Sequence, residues 1–552
     1  MYQIPPEDRL RLILRQQDEL RAQAARERMA TEATQKRTTE SLGVPSSRTS
    51  GWHHAWATAT HVMRALTGRH AVSRYVLLTA GLLAFSLAAP GAVMAAGFTV
   101  QVPGPMLGPN PNDTANIQKA LDTCAAYGPN CTVQLQAGKY HTSQLVEYGF
   151  KGTFKGRGEG VTIIEARPNL TVGWMTPYSG SECAPNTTTC LWPNLIMFVN
   201  GAVEVSDLAI SEPNTGAAEA TPWPCTDCGT VTLTATALYD VLAFTGQYRA
   251  DASVDRVSIT GAPDGSATSF YGYNLINGID YSGFYPNGLG GHYGYMLIGS
   301  FSLRNSALSW AFNPVAVDGP HEANHVTIGG APGAGNSFDN AIGGIDLESA
   351  QRSVFDVSYN TSAATHYGMW VSYDPSQPTS PSQYLIHDNR FVTAATYGSD
   401  DEGIFLYDNS TAPYIQAKIW DNTINVLPGN SGIDVFYSKG TMITGNTITG
   451  TDGYDGIGLW GATYSAVIAN NVSGLTVDPS GYAQIFLSPF ADQGAATANN
   501  LVVCLHRTDQ VVDQGTGNKV IGCDPSTATP KAAVGTGPVP HMLGLKVKPF
   551  LP

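Results

Sequence analysis

The chain has 552 residues, of which only 13% are charged, and it contains 59 glycines and 34 prolines. This composition suits many short strands and turns and argues against long helical domains. Residues 1–74 carry 12 basic and 7 acidic residues, whereas residues 75–552 carry 18 basic and 37 acidic residues. A body this acidic repels nucleic acids at long range, so no nucleic-acid partner is expected.

The chain begins with a polar arm, residues 1–74, which we expect to be helical or disordered and to carry no chemistry. Residues 75–96 follow three nearby arginines, contain no charged residue and end in small residues around Ala95. This layout is typical of a secretory signal peptide, and the uncharged segment is also long enough to be a retained membrane anchor. Either interpretation places residues 97–552 outside the cytoplasm, in a secreted, periplasmic or cell-surface protein. A membrane partner is expected only if the anchor is retained.

Eight cysteines support export, because disulfides persist in oxidising compartments. They fall into close pairs, and adjacent pairing is one of 105 possible connectivities. Each loop of that pairing is short and easily closed. Cys225 and Cys228 could instead form a redox motif or half of a zinc site, but no second such motif accompanies them. We predict four loop-closing disulfides, Cys124–Cys131, Cys183–Cys190, Cys225–Cys228 and Cys504–Cys523.

The exported region opens with a predicted amphipathic helix over residues 113–122, with an Asp/Thr start. Strands with a glycine turn follow at 132–140, and another strand is predicted at 161–164. From about residue 195 the apolar residues alternate with polar ones and show no helical period, which indicates strands.

Five glycines, at positions 344, 368, 403, 432 and 456, each introduce a short alternating strand. Their unequal spacing, with a minimum of 24 residues, predicts one structural turn per repeat with loops inserted in some turns. The first and third residues after each glycine are apolar and are predicted to point inward, and the second and fourth outward. The outward positions form two columns that suit sugar binding by aromatic rings and carboxylates: Trp370, Phe405, Tyr407, Asp434, Phe436 and Trp460, with Phe486 in the next turn. Alternatively, inserted loops cover these rings and make them a secondary core.

Asparagines close strands at positions 389, 422, 446 and 470 with nearly the same period. Asparagine tolerates the left-handed backbone of a tight turn, and its amide can hydrogen-bond the same position one turn along. Two series with one period indicate a coil of stacked turns.

The 113–140 opening, the strand Gly156–Ile164 and the repeated "GI-x-L … I-x-x-N-x-I" rhythm together resemble the pectate-lyase-like right-handed parallel β-helix superfamily. The resemblance covers roughly residues 100–523. It implies an all-β, right-handed parallel β-helix over residues 97–523 with a short N-terminal capping helix, followed by a Pro-rich tail, 524–552. It is weak for activity, since function depends on sites grafted on a fold.

The acid/base candidates are Asp346 and Glu348, two residues apart on one outward face and about 7 Å from each other by strand geometry. Asp401 and His366 lie beside neighbouring strands and could assist. Hydrolysis of a glycosidic bond needs two carboxyl groups that flank it. The Gly-His-Gly and Arg-Ile-Lys elements of polygalacturonase-type hydrolases are absent, which argues against pectin hydrolysis. Each candidate could instead be a solvated turn or a cap.

Two other chemistries are weaker. A lyase would need a cation to neutralise a uronate, and Asp401, Asp452 and Asp455 could help to bind Ca²⁺. The outward columns contain no Arg or Lys for the same purpose. His321–His325 matches the HExxH pattern of zinc proteases, which requires a helix there, whereas the sequence runs into a strand.

The sequence therefore predicts an exported carbohydrate-active enzyme, a polysaccharide hydrolase that needs no cofactor and binds its chain along the β-helix. The alternatives are a polysaccharide lyase of the same fold, with Ca²⁺, and a non-catalytic glycan-binding or surface-structural β-helix.

Overall fold

The structure is a computed structural model, and it describes residues 97–167, 169–172, 175–178, 190–211, 231–234, 240–245, 249–261, 274–279, 297–310, 313–318, 325–341, 343–348, 353–365, 367–372, 381–393, 402–408, 414–450, 455–475, 483–489 and 495–525. The predictions for the arm, for residues 75–96 and for most of the tail lie outside these residues. Within the described ranges, no helix is long and apolar enough to cross a membrane.

Each turn of the coil contributes up to three strands, which stack on the same strands of the next turn and form three faces. Face 1 is a 14-stranded sheet in which one strand, Met175–Tyr178, pairs antiparallel with its neighbour. The other strands of face 1 are Leu145–Tyr148, Cys190–Val199, Asp240–Thr245, Asn274–Ile279, Asn313–Asp318, Ile345–Glu348, Met369–Ser372, Glu402–Tyr407, Ser431–Phe436, Ile457–Trp460, Ile485–Ser488, Gln510–Asp513 and Asp524–Pro525.

Faces 2 and 3 together form a 23-stranded sheet, because two long strands, Ala202–Ser211 and Arg249–Thr260, run through both faces. The remaining strands of face 2 are Phe98–Gln101, Cys131–Gln134, Lys151–Lys155, Leu297–Arg304, His325–Gly329, Val354–Ser358, Ser382–His387, Ile415–Trp420, Met442–Thr444, Ala466–Ile468, Leu501–Val503 and Lys519–Ile521. Those of face 3 are Gly138–Thr142, Thr162–Ala166, Ala307–Ser309, Ser337–Ala341, Thr361–Thr365, Arg390–Thr393, Thr423–Val426, Thr447–Gly450 and Asn471–Ser473. A separate antiparallel pair joins Asn169–Val172 to Val231–Thr234.

The interior is a column of apolar side chains that follows the register of face 1. Residues one and three positions after each repeat glycine pair with the same positions of the next turn, as predicted. The members of the first inward column are at most 2% exposed: Ile345, Met369, Ile404, Ile433, Ile457 and Ile485. Complete burial of one such side chain stabilises the fold by about 1.5–3 kcal/mol, so this repeated pattern is the main source of stability.

The corner between faces 2 and 3 carries the predicted asparagine ladder, and it is longer than the sequence indicated. The amide nitrogen of each asparagine donates to the side-chain oxygen of the next at 2.8–3.0 Å, from Asn336 and Asn360 through Asn389, Asn422 and Asn446 to Asn470. The backbone expectation was wrong: the left-handed residue precedes the asparagine, as at Asp388 and Asp421, each with φ near +55°. The asparagine itself closes the corner through its side chain.

The N-terminal end of the coil is closed by a helix, Thr114–Tyr127, which is longer than the predicted 113–122 segment. It buries one apolar side, Ile117, Ala120, Leu121 and Cys124. Asp113 precedes it, is fully buried, and accepts hydrogen bonds from the backbone N–H groups of Met106 and His141 at 2.8 and 2.9 Å. These bonds fasten the start of the helix to the first coils.

Two of the four predicted disulfides lie within the described residues and are confirmed. Cys124–Cys131 links the capping helix to face 2, and Cys504–Cys523 closes the last coil. The pairings of Cys183 with Cys190 and of Cys225 with Cys228 involve side chains outside the described residues.

The expected fold class is confirmed: the chain forms an all-β, right-handed parallel β-helix with a short N-terminal capping helix. Its hand is the one that crossover connections between parallel strands adopt.

Candidate functional site

The two outward columns predicted on face 1 exist, and their members are neighbours on adjacent strands. In the first column Asp346 pairs in register with Trp370, and the column continues through Phe405, Asp434, Gly458 and Phe486. In the second column Glu348 pairs with Ser372, and the column continues through Tyr407, Phe436, Trp460 and Ser488. Strand alternation alone therefore placed these residues on one face.

The aromatic members of both columns form a continuous row of rings along the coil axis. Trp370 stacks on Phe405 at 4.1 Å between ring centroids, and Phe436 stacks on Trp460 at 5.7 Å. Phe405 contacts Phe436 at 5.2 Å, which joins the two stacks, and Trp460 contacts Phe486 at 5.0 Å. A row of stacked aromatic rings gains stability beyond the area that it buries.

This row is more buried than an open groove would be. Phe405 and Phe436 are 1% exposed and Phe486 is 6% exposed, whereas Trp370, Tyr407 and Trp460 are half-buried. The middle of the row is thus a secondary core, which was the alternative interpretation of the sequence. The accessible part of this row of rings consists of the three half-buried ones.

A third outward column lies beside these two and was missed by sequence reasoning. It consists of the residue before each repeat glycine, for example Glu402 and Asp455. The glycines themselves face inward, since a Cβ at Gly368 would lie 2.5 Å from the Phe391 ring and one at Gly432 would lie 2.8 Å from Ile448. Because glycine and the next residue both face inward, the residue before the glycine turns outward. Strict alternation would have assigned it inward.

The three columns bring two carboxylates and an indole together above Gly458. A Cβ at this position would clash with Asp434 Oδ1, and it would lie 2.5 Å from Trp460 Nε1 and 2.7 Å from Asp455 Oδ2. Trp460 Nε1 donates a hydrogen bond to Asp434 Oδ1 at 3.0 Å. Asp434 is 5% exposed and Asp455 is 1% exposed. Only glycine leaves room for this arrangement.

The other acids of face 1 fall into different environments. Asp346 is outward and 8% exposed, and it lies in the same column as Gly458 but four turns before it. Asp408 is structural: its carboxylate accepts hydrogen bonds from the backbone N–H groups of Tyr414 and Ile415 at 2.9 and 3.0 Å. Glu402 is 7% exposed in the third column.

Several predicted residues are only partly described or lie outside the described residues. Glu348 occupies its expected strand position, but its side chain is not described. Asp401 and His366 lie outside the described ranges, as do His321 and Glu322 of the HExxH pattern. His325, the last residue of that pattern, is exposed and begins a strand of face 2. A zinc-protease helix would have to contain it, so that alternative is wrong at this residue.

Metal binding has little support among the described side chains. Within the described ranges, no cluster of three or more His, Cys, Asp or Glu residues is arranged to hold a metal ion. The groups above Gly458 are carboxylate oxygens and an indole N–H, and the indole N–H cannot bind a metal ion. This set does not suit copper, which favours imidazole and sulfur ligands.

Comparison with protein families gives one match. Residues 335–521 match the family model described as "Periplasmic copper-binding protein (NosD)". This segment begins just before the asparagine ladder and includes every repeat glycine. No curated protein matches the chain significantly.

Several solved structures have a similar course of the chain. A mutant of DFA-IIIase from Arthrobacter chlorophenolicus A6 is 10% identical, with a TM-score of 0.46, and the match covers 78% of this chain and all of that one. The catalytic domain of a GH87 alpha-1,3-glucanase in complex with nigerose is 12% identical, with a TM-score of 0.37, covering 80% of this chain and 68% of that one.

The A-module of the mannuronan C-5 epimerase AlgE6 from Azotobacter vinelandii is 14% identical, with a TM-score of 0.27, and covers 75% of this chain and 91% of that one. Identities and TM-scores this low carry no argument about activity. The stacked faces, the capping helix and the asparagine ladder show that this chain has the right-handed parallel β-helix fold.

Proposed function

We propose that this chain is an exported carbohydrate-active enzyme that hydrolyses a polysaccharide bound along face 1. The observation that carries the proposal is the convergence of Asp434, Asp455 and the Trp460 indole above Gly458. Most glycosidases use a pair of carboxyl groups that flank the scissile bond. Here an aromatic ring lies beside such a pair.

The spacing of the pair favours one geometry. Asp455 Oδ2 lies 2.7 Å from the point that a Gly458 Cβ would occupy, and Asp434 Oδ1 lies closer still, so these two oxygens are less than about 5 Å apart. Retaining glycosidases place their carboxyl groups about 5–5.5 Å apart, and inverting enzymes about 6.5–9.5 Å apart. The pair is therefore too close for the inverting spacing and nearer to the retaining one.

The two acids have different neighbours and hence different proposed roles. Asp434 accepts a hydrogen bond from the Trp460 indole, which stabilises its ionised form. Two nearby carboxylates repel each other unless one holds a proton. We assign that proton to Asp455, which would donate it to the leaving oxygen as the general acid. Asp434 would be the ionised carboxylate of the pair.

The half-buried rings supply the binding surface in this proposal. Trp370, Tyr407 and Trp460 present part of their rings to solvent along about three turns of the coil. Neighbouring turns are about 4.8 Å apart, so the rings span two or three sugar units of an extended chain. The described outward columns contain no Arg or Lys to neutralise a uronate, which argues against a lyase.

A non-catalytic glycan-binding β-helix is the second candidate, and the burial of both acids favours it. The test is a panel of neutral and acidic polysaccharides, assayed for new reducing ends and for the absorbance of unsaturated uronates. We expect reducing ends from a neutral chain, and a loss of about 10²–10⁴ in kcat in Asp455→Asn.

The matched control is Asp356→Asn, which removes a carboxylate that is 36% exposed on face 2 of an earlier coil. It should retain activity within about twofold, as expected for a surface change. Binding without any cleavage would establish the binder instead, and unsaturated products would establish a lyase. Equal activity in Asp455→Asn and Asp356→Asn would show that Asp455 takes no part in the reaction.

A further inference from the structure

The helix-capped end of the β-helix exposes an unusual number of large apolar side chains. Among the described residues, ten large hydrophobic side chains are exposed, and six of them belong to the first 64 residues of that part, from 98 to 161. These six are Phe98, Met106, Leu107, Tyr127, Tyr148 and Val161. The whole remaining length of the described coil supplies the other four.

Four of the six lie at the two ends of the capping helix. Met106 and Leu107 are 49% and 97% exposed, and the Met106 N–H is bonded to Asp113 at the start of the helix. Tyr127, the last helical residue, stacks on Phe98 at 4.4 Å between centroids, and both rings are exposed. A 14-residue helix is about 21 Å long, so these are two apolar patches about that far apart, with the exposed Lys119 and Asp122 of the helix between them.

Local charge distinguishes this end from the acidic body of the protein. Residues 97–167 contain six Lys or Arg and five Asp or Glu. Two of those five acids, Asp113 and Glu147, are buried, so the basic residues predominate at the surface. Residues 168–552, by contrast, carry 12 basic and 32 acidic residues. An anionic headgroup layer is therefore repelled less by this end than by residues 168–552.

The sequence places a membrane-compatible segment directly before this surface. Residues 75–96 contain no charged side chain and are long enough to span a bilayer. Phe98 is two residues beyond that segment, which is about 7 Å of extended chain. Any bilayer that holds residues 75–96, during export or as a retained anchor, is thus within reach of Phe98.

We propose that the helix-capped end docks on a phospholipid bilayer surface. Leu107 and Met106 insert at one end of the helix, and the Phe98–Tyr127 stack lies in the headgroup layer at the other. Aromatic and long apolar side chains favour this interface because one part of each is apolar and the rest stays hydrated. The coil axis then points away from the membrane, and face 1 stays clear of it. This proposal is independent of the reaction proposed for face 1.

The test is hydrogen–deuterium exchange of the full chain reconstituted in phosphatidylcholine vesicles, compared with the same chain in detergent micelles. We expect amides of residues 104–108 and 126–130 to exchange about tenfold more slowly on vesicles, as for a locally docked segment. The double variant Met106→Ser, Leu107→Ser should lose that protection while remaining on the vesicles. Both side chains are exposed, so the fold is preserved.

The matched control is Leu505→Ser, which removes a 50% exposed leucine from the last coil. It should leave the protection at 104–108 unchanged. Equal exchange on vesicles and in micelles would overturn the proposal. Protection that depends on protein concentration and persists without lipid would overturn it in favour of a second copy of the chain on this surface.

Discussion

The outer sides of face 1 and face 2 differ sharply, although the same coils build both. On face 2 several outward residues of the central coils are polar and exposed, namely Gln383, Gln416 and Lys418. On face 1 the corresponding turns present Phe405 and Phe436, each 1% exposed, beside buried carboxylates. Inward residues of both faces are equally apolar and buried. The inward residues therefore determine the coil. The buried aromatic rings and carboxylates on the outer side of face 1 are not required to form it.

The largest expected effect concerns the asparagine ladder, which lies at the corner between faces 2 and 3 of the same coils. Asn422→Ala removes hydrogen bonds to Ile386 O at 2.9 Å and to Asn446 Oδ1 at 2.9 Å, and it deprives Asn389 of its acceptor. Unsatisfied buried polar groups cost about 1–3 kcal/mol each, so we expect a loss of about 3–5 kcal/mol in the free energy of unfolding, measured in urea. Asn425→Ala, an exposed asparagine on face 3, should cost less than about 0.5 kcal/mol. Equal losses would mean that the ladder is not a stabilising element.

The difference between the two outer sides can be tested directly. Phe436→Ala should cost about 3 kcal/mol, as for a core phenylalanine, because its ring packs on Phe405 and Trp460. Lys418→Ala on the outer side of face 2 should cost less than about 0.5 kcal/mol. The measurement is again urea unfolding. A cost below about 1 kcal/mol for Phe436→Ala would mean that this row is an accessible groove rather than a secondary core.

A smaller effect is expected at Glu147, an acid at an inward position of face 1. It pairs in register with the core residue Phe198, in the first coil, where the capping helix closes the interior. Burial, together with the hydrogen bond and charge of Asp122, raises the pKa of Glu147 from 4.5 to about 7. Between those pH values the folded chain keeps a proton that the unfolded chain has released. The free energy of unfolding therefore falls as pH rises from 4.5 through 7, by about 2–3 kcal/mol.

Glu147→Gln should abolish that decrease. At pH 8 the variant should be about 2 kcal/mol more stable than the unaltered chain, whereas near pH 4 the two should agree within about 0.5 kcal/mol. Glu165→Gln, on the outside of face 3 and paired with Lys139 at 2.8 Å, should follow the unaltered chain within about 0.5 kcal/mol. A variant that keeps the full pH dependence would show that Glu147 does not titrate in this range.

Much of the site could be predicted because strand alternation is a short-range rule. Glycine-led repeats placed Trp370, Phe405 and Trp460 on one face, and the register confirms it. Asp455 was predicted only as a possible Ca²⁺ ligand, and strict alternation would point the residue before a glycine inward. The inward-facing glycine breaks that alternation. It faces inward because it lies close to side chains of face 3, and those residues are distant in the sequence.

By itself the sequence determined the coil, its capping helix, two outward columns and the ladder, since each depends on residue types repeated at a local period. Tertiary structure alone decided the rest: the burial of Phe405 and Phe436, the third column, and the meeting of Asp434 with Asp455 above Gly458. Burial and side-chain distance depend on which turns stack and on how closely their backbones approach. Those quantities are set by packing between residues more than 20 positions apart, which no local pattern records.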